Sequence, residues 1–173
     1  IDDLVTKGTK EPYRMFTSRA EYRILLRQDN ADQRLTPLSH SIGLADENRL
    51  RNLEDKRKRV NAMRKGLEKL SVSPGDSAEL LASKDSAPLK QKQKAITILT
   101  RPNIGINDMI HHMDSVAGLS LKNELTASDL ESMEVEIKYQ GYIEKEQAVA
   151  DKLKRLDYIT IPKDFDYHAI ESL

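Results

Sequence analysis

Apolar residues recur at helical spacing along much of the chain, most clearly between residues 47 and 70. They fall there at steps of three, four or seven, which places them along one side of an α-helix. Asp46 precedes the run and is a candidate N-cap. The residues of this apolar stripe are Leu50, Leu53, Val60, Met63, Leu67 and Leu70. The pattern therefore predicts a long helix whose remaining faces are crowded with Arg and Lys.

A second periodic run predicts the longest helix, at about residues 129–156. Ser128 and Glu131 have the spacing of a capping box at its start. Its predicted buried side consists of Leu130, Met133, Ile137, Val149, Leu153 and Leu156. Gly141 lies inside this run, where glycine weakens a helix, so we expect another helix to cross closely there.

Shorter helices are predicted from local start and stop signals. Ser18 and Glu21 form a capping box that begins a helix at 19–27, and the polar segment 29–32 ends it. Thr36 as cap and Pro37 as first helical residue begin the next helix, which a left-handed Gly43 ends. Further helices are predicted at about 92–100 and 106–113, and a last one after Asp166, whereas residues 114–125 give no clear pattern.

The remaining segments are predicted to be irregular. Residues 1–17 indicate an extended lead, and the Ser-rich residues 71–90 indicate a loop-rich linker with one helical turn at 78–82. The predicted fold is mostly α, a multi-helix array that follows a short extended N-terminal lead. The predicted division is residues 1–17 and a helical domain at 18–173.

The amino-acid composition excludes several classes of protein and of binding site. The 173 residues contain 28 Lys and Arg against 28 Asp and Glu, and no Cys. Disulfides and thiolate metal sites are therefore excluded. The chain has no apolar run long enough to cross a bilayer and no signal peptide at its start, so a cytoplasmic location is expected. With 7 Gly and no glycine-rich phosphate loop, the chain carries no nucleotide cradle.

Candidate metal and acid–base residues have ordinary explanations. His111 and His112 are adjacent on a predicted helix and point to different sides, so no metal site is expected. Glu134 and Glu136 alternate with Lys138, which favours a salt-bridged, solvated face over a pair of catalytic carboxylates.

Two basic segments are candidates for phosphate binding. Arg19, Arg23 and Arg27 recur every four residues, with Arg14 and two tyrosines nearby, as suits phosphate and base contacts. Structural ion pairs with Glu11, Asp29 and Asp32 explain these arginines equally well. Residues 46–69 carry nine cations against five carboxylates, but an ordinary exposed helix face is the better interpretation on composition alone.

Several ordered blocks resemble the MnmG (GidA) family. The longest is Glu11-Pro12-Tyr13-Arg14-Met15-Phe16-Thr17-Ser18-Arg19-Ala20-Glu21-Tyr22-Arg23, followed by Leu25-Leu26-Arg27 and Asp29-Asn30-Ala31-Asp32. Further matching segments are residues 1–9, Leu35-Thr36, Ile42-Gly43-Leu44, Leu99-Thr100-Arg101-Pro102, residues 134–143 and residues 161–167. They occur in the family's order and span nearly the whole chain.

The resemblance implies a fragment of a larger FAD-binding α/β flavoprotein. The family's FAD fold would lie upstream and its terminal helical subdomain downstream. Family members modify the wobble uridine of tRNA with a carboxymethylaminomethyl group, use FAD with NADH as reductant, and work with the GTPase MnmE as cytoplasmic homodimers. This fragment is then expected to contribute tRNA binding and partner docking, with no catalytic residue and no cofactor of its own.

The resemblance also implies roles for the arginines. Arg14 and Arg23 are expected to contact tRNA phosphate or the wobble nucleotide, with Arg19 and Arg27 in support. A rival role for them is to hold the flavin domain against the helical domain. The alternative function is a protein-docking helical module without nucleic-acid contact.

Overall fold

The computed structural model describes residues 22–156, 158–160 and 162. The predicted extended lead, the capping box at Ser18 and the helix after Asp166 lie outside these residues. Arg14 and Arg19 also lie outside them. No helix in the described part is long and apolar enough to cross a membrane.

The described chain is mostly helical, as predicted. Its elements are α1 (Ala31–Ser41), α2 (Glu47–Lys69), β1 (Ser71–Val72), α3 (Ala78–Ser83), β2 (Gln93–Lys94), α4 (Ala95–Leu99), α5 (Ile106–His112), α6 (Asp114–Lys122) and α7 (Ala127–Leu156). β1 and β2 pair antiparallel, with Ser71 opposite Lys94. Residues 27–143 form one compact unit, and the described residues before and after it belong to a second. The division at residue 17 stays a prediction.

α2 confirms the predicted long helix. The Asp46 carboxylate accepts a hydrogen bond from the Arg49 backbone N–H at 2.8 Å, which satisfies one of the free donors of the first turn. Four residues of the predicted stripe are buried: Leu53, Val60, Met63 and Leu67. Val60, Met63 and Leu67 pack into a core with buried residues of α3 to α6 and of the first half of α7, including Leu80, Ile98, Met109, Val116 and Met133. α2 therefore forms the spine of this unit.

The end of α1 also confirms a prediction, whereas its start corrects one. Gly43 has a φ of 78°. The N–H groups of Leu44 and Gly43 donate to the carbonyls of Ser39 and His40 at 2.9 and 3.0 Å, a Schellman ending. The helix begins at Ala31 and contains Pro37 in its interior, so the predicted start at Thr36 is wrong.

The predicted helix at 19–27 is wrong over its described part. Residues 22–26 form a turn, and Tyr22 has a φ of 54°, which a right-handed helix does not allow. The segment 29–32 starts α1 instead of ending a helix. The acidic side chain of Asp32 in the first turn suits the positive end of the helix dipole.

The Ser-rich segment 71–90 contributes to the core. The predicted helical turn at 78–82 is confirmed as α3, and Leu80 and Leu81 are fully buried. Ser77 is also buried, and its hydroxyl donates to the Ser73 carbonyl at 3.1 Å, which satisfies it without solvent. β1 and β2 are two-residue strands that sequence patterning did not predict, since such strands are too short for alternation to be detected. β2 lies inside the helix predicted at about 92–100, so the predicted start is wrong, and the helix begins at Ala95 as α4.

α7 begins with a different capping box from the one predicted. The Asp129 N–H donates to the Thr126 hydroxyl, and the Thr126 N–H donates to the Asp129 carboxylate, each at 3.2 Å. This reciprocal pair is the box geometry, so the prediction based on Ser128 and Glu131 is wrong. The helix consequently starts two residues earlier, at Ala127.

The second half of α7 also departs from the predicted stripe. Leu130, Met133 and Ile137 are buried, but Val149, Leu153 and Leu156 are 56, 45 and 49 % exposed. The expected crossing at Gly141 is wrong, because a Cβ built there meets nothing within 4 Å.

The close approach lies at Gly66 in α2 instead. A Cβ built at Gly66 would lie 3.0 Å from Leu119 Cδ2 in α6. Gly66 therefore lets α2 and α6 pack closely.

Candidate nucleic-acid interface

The predicted arginine cluster is described only at Arg23 and Arg27. Arg23 is exposed in the turn, with no ion pair to any described residue. Arg27 is largely buried, and its Nε and Nη2 donate to the two carboxylate oxygens of Asp29 at 2.9 and 3.1 Å. Arg27 thus makes the ion pair that the structural alternative predicted. A continuous helical stripe through Arg23 and Arg27 is absent, because residues 22–26 form a turn.

The segment around Arg27 and Asp29 is tied to two helices. Arg34 of α1 donates to the Arg27 carbonyl at 3.2 Å and to the Asn30 side chain at 2.9 Å. The hydroxyl of Ser132 in α7 lies 3.4 Å from the Asp29 carbonyl, a weak contact. Arg34 therefore fixes backbone geometry with part of its guanidinium.

The middle of α2 supplies cations to α1. Lys56 pairs with Asp32 at 2.8 Å. Arg57 donates from Nη2 to the Gln33 carbonyl at 2.8 Å. Pro37 has no N–H, so the Gln33 carbonyl one turn earlier has no helical donor. Arg57 replaces that missing donor, which explains how α1 contains a proline in its interior.

The same part of α2 also supplies cations to α7. Arg59 pairs with the buried Asp129 at 3.2 Å, and Arg64 pairs with Glu136 at 3.2 Å. The Asp129 side chain is only 4 % exposed, so this carboxylate depends on Arg59 and on the Thr126 N–H for compensation. Four of the nine cations of α2 therefore bond to other helices of the fold.

An open cleft of about 630 Å³ lies beside these ion pairs. It is lined by Gln28, Asp29, Ala31, Asp32, Lys56, Ser128, Glu131, Ser132 and Val135. Three of its charged groups are carboxylates and one is the ammonium of Lys56, which is already paired with Asp32. Since phosphate would meet an excess of negative charge, this cleft does not suit a polyanion.

The start of α5 is capped by two carboxylates, those of Asp108 and of Glu134, which the sequence pattern predicts on a solvated face. Glu134 pairs with Lys138 at 2.8 Å, as predicted, but its other oxygen accepts from the Ile106 N–H at 2.8 Å. The Asp108 carboxylate accepts from the Gly105 N–H at 2.9 Å. A hydrogen bond from Lys84 lowers the pKa of Asp108, so the folded protein favours its ionised form.

The histidines have structural contacts. His111 and His112 meet edge to face at 5.0 Å between ring centroids, and His112 Nδ1 lies 2.9 Å from the Asp108 carbonyl. Within residues 22–156, 158–160 and 162, no three metal-binding side chains cluster around a common point.

The rest of the α2 surface carries cations that face solvent. Arg49, Arg51, Lys65 and Lys69 are exposed, and none pairs with a carboxylate in the described chain. Lys58 is exposed and pairs with Asp55 at 3.1 Å on the same helix. The sequence pattern predicts that these residues share one basic face with Lys56 and Arg59. In the structure, the cations of α2 divide into a group that pairs with other helices and a group that faces solvent.

Comparison with known proteins agrees with the resemblance found in the sequence. The family described as the tRNA modifying enzyme MnmG/GidA C-terminal helical domain matches residues 47–147. The chain belongs to the MnmG/GidA family. This match includes residues 47–95, in which none of the segments that resemble the family lies.

Relatives and solved structures of the family match the chain along its whole length. The tRNA uridine 5-carboxymethylaminomethyl modification enzymes MnmG of Christiangramia forsetii and Flavobacterium johnsoniae are 49 and 48 % identical over all 173 residues. GidA of Aquifex aeolicus, a solved structure, matches 99 % of the chain with a TM-score of 0.64 and 30 % identity. The chain spans 28 % of the length of these two relatives and 25 % of the GidA chain.

Proposed function

We propose that this chain is the helical part of a longer flavoenzyme that modifies the wobble uridine of tRNA, and that it helps to hold the tRNA. The observation that carries this proposal is 49 % identity, over every residue of the chain, to a protein named as a tRNA uridine modification enzyme. The solvent-facing cations of α2 and the exposed Arg23 support a contact with phosphate.

Within this function, Arg14 and Arg23 contact tRNA phosphate or the wobble nucleotide. Arg23 has an exposed side chain without an ion pair to a described residue, so its guanidinium is available to a ligand. Arg27 acts in support by holding Asp29 and the segment before α1. Arg19 completes the group in the same signature block.

The chemistry of the complete enzyme is assigned to other parts of its polypeptide. FAD supplies the redox chemistry and NADH reduces it. This chain has 7 Gly and no glycine-rich phosphate loop, so its residues do not fit a flavin cradle and no reaction step is assigned to them. The complete enzyme is proposed to be a cytoplasmic homodimer that works with a GTPase of the MnmE type.

A tRNA-binding titration tests this proposal on the full-length polypeptide with unmodified tRNA at several salt concentrations. Arg14→Ala and Arg23→Ala should each weaken binding about five- to tenfold and lower the slope of log K against log salt by about 0.9. Arg155→Ala, at an exposed position in the last turn of α7, is the matched control. Unchanged affinity and slope in both test variants would contradict the assignment. A loss of melting temperature without a loss of tRNA affinity would favour the domain-holding role.

A second candidate function is protein docking. From Tyr139 to its end, α7 exposes the large side chains of Tyr139, Tyr142, Val149, Leu153 and Leu156, which is an unusual number for one helix. Binding of the chain to a purified MnmE-type GTPase, abolished by Leu153→Asp and retained by Asp151→Asn, would favour this function. Absence of binding would leave the tRNA contact as the role of the chain.

A further inference from the structure

A group of lysines surrounds the carboxyl end of α2 and the β1–β2 pair. Lys65 and Lys69 lie one turn apart on α2, so their side chains share a face. Lys94 of β2 reaches the same end of the helix, because its Nζ donates to the Lys69 carbonyl at 2.9 Å. Lys92 lies two residues before Lys94, next to the start of β2, and Lys90 lies in the bend that precedes it. We call these five residues the hairpin lysines.

The hairpin lysines are exposed and poorly compensated. None of the five forms an ion pair with a carboxylate in the described chain. The carboxylates of the same region are Glu68, which lies 3.5 Å from Arg64, and Asp76, which accepts a hydrogen bond from the Ser73 hydroxyl at 2.7 Å. That hydrogen bond and, to a smaller extent, the charge of Lys92 lower the pKa of Asp76, so Asp76 compensates one of the five lysines in part. The surface therefore has five cations against two partly engaged carboxylates, which leaves a positive field.

The composition of this surface indicates what binds it. No large apolar side chain is among the strongly exposed ones between residues 45 and 120. Protein interfaces concentrate aromatic and apolar side chains and are depleted in lysine, and membrane-surface helices insert apolar residues beside their cations. A phosphate backbone needs only positive charge and hydroxyl donors, which the lysines and the neighbouring Ser71 supply.

We propose that the hairpin lysines form a second contact with the tRNA backbone, separate from the arginines of the signature block. This inference rests on the proposed function. Lys56, which lies next to the acidic cleft, and Lys69 are thirteen residues apart on α2, which is about 20 Å along the helix axis. That distance equals several phosphate spacings, and it separates the hairpin lysines from the acidic cleft, where Asp29 pairs with Arg27 of the signature block.

The test compares two variants of the full-length polypeptide. One carries Lys65→Gln, Lys69→Gln, Lys90→Gln and Lys92→Gln, and keeps Lys94 because that side chain caps α2. The control carries Lys122→Gln, Lys145→Gln, Lys152→Gln and Lys154→Gln, which removes the same charge from exposed positions elsewhere. Both are titrated with unmodified tRNA at 50 to 200 mM salt, and their melting temperatures are compared with that of the unmodified protein.

The hairpin variant should bind tRNA at least tenfold more weakly at low salt, with a salt slope smaller by about 2 to 3, while the control changes less than threefold. Equal losses in both variants, or no loss in the hairpin variant, overturn the proposal. Failure of the unmodified protein to bind tRNA overturns the proposed function itself. Binding of an acidic protein partner that the hairpin variant loses, with tRNA affinity kept, would replace RNA with protein as the ligand.

Discussion

The middle of α2 and its carboxyl end are both rich in cations, yet the two regions use them differently. In the middle, Lys56 and Arg59 reach carboxylates on α1 and α7. At the end, Lys65 and Lys69 face solvent beside the β1–β2 pair, and Lys90, Lys92 and Lys94 lie in β2 and the segment before it. The cations are the same residue types at similar spacing. The neighbouring helices decide their role, because carboxylates of α1 and α7 pair with Lys56, Arg59 and Arg64 but with neither Lys65 nor Lys69.

The comparison has an energetic consequence. Removing the buried carboxylate that is paired with a cation lowers the free energy of unfolding strongly, whereas a solvated lysine contributes little to stability. Substitutions in the middle of α2 and its partners should therefore change folding. Substitutions among the solvent-facing lysines should change binding while leaving folding almost intact.

The largest expected effect is that of Asp129→Ala. This change removes the partner of Arg59 and the reciprocal cap of α7 at Thr126. Loss of a cap costs about 1 kcal/mol, and Arg59 would keep a partly buried charge without compensation, so the free energy of unfolding should fall by about 3 kcal/mol. Urea denaturation followed by circular dichroism measures this loss.

Glu131→Ala is the matched control for that substitution. Glu131 is an exposed carboxylate two residues along α7 and belongs to the capping box that the structure does not use. Its removal should change the free energy of unfolding by less than about 0.5 kcal/mol. Similar losses in the two variants would show that the buried ion pair is not what distinguishes them.

An intermediate effect is expected for Arg57→Ala. The change leaves the Gln33 carbonyl without the guanidinium donor that replaces the missing N–H of Pro37. The free energy of unfolding should fall by about 1 kcal/mol. In a Pro37→Ala background the new backbone N–H bonds the Gln33 carbonyl, so Arg57→Ala should then cost less than half as much. A double-mutant cycle measures this coupling, and additive effects would refute the compensation.

The sequence predicted the elements whose signals are local. Asp46 lies next to the helix that it caps, and Gly43 lies at the turn that needs a positive φ. The helical spacing of the apolar residues in α2 also predicts its buried stripe directly. These features depend on a few adjacent residues, so patterning identifies them without any knowledge of the tertiary structure.

Other features depend on residues far apart in the chain. The partner of Arg59 is seventy residues away, and the contact of Gly66 is Leu119, so no local pattern indicates them. At the start of α7, two overlapping boxes compete, and the buried Asp129 gains a cation that Glu131 does not. Only pairing between residues far apart in the chain separates the bound cations from the solvent-facing ones. For this reason the sequence pattern alone predicts a single basic face.

The smallest expected effect is the difference in stability between substitutions at two of the hairpin lysines, Lys94 and Lys92. Lys94 donates to the carbonyl of Lys69 and to the Ser71 hydroxyl, each at 2.9 Å, and its charge lies at the negative end of the α2 dipole. Lys94→Ala should therefore lower the free energy of unfolding by about 0.5 kcal/mol, and 0.5 M NaCl should reduce that loss.

Lys92→Ala should change stability by no more than about 0.3 kcal/mol, since Lys92 bonds no helix end. Both substitutions remove one positive charge from the same surface, so both should weaken tRNA binding to a similar extent. Thermal and urea unfolding at low and high salt, measured beside the tRNA titration, separate the two properties. If Lys92→Ala destabilised the fold as much as Lys94→Ala, the hairpin lysines would share the structural role of the cations in the middle of α2. The distinction between the middle and the carboxyl end of this helix would then fail.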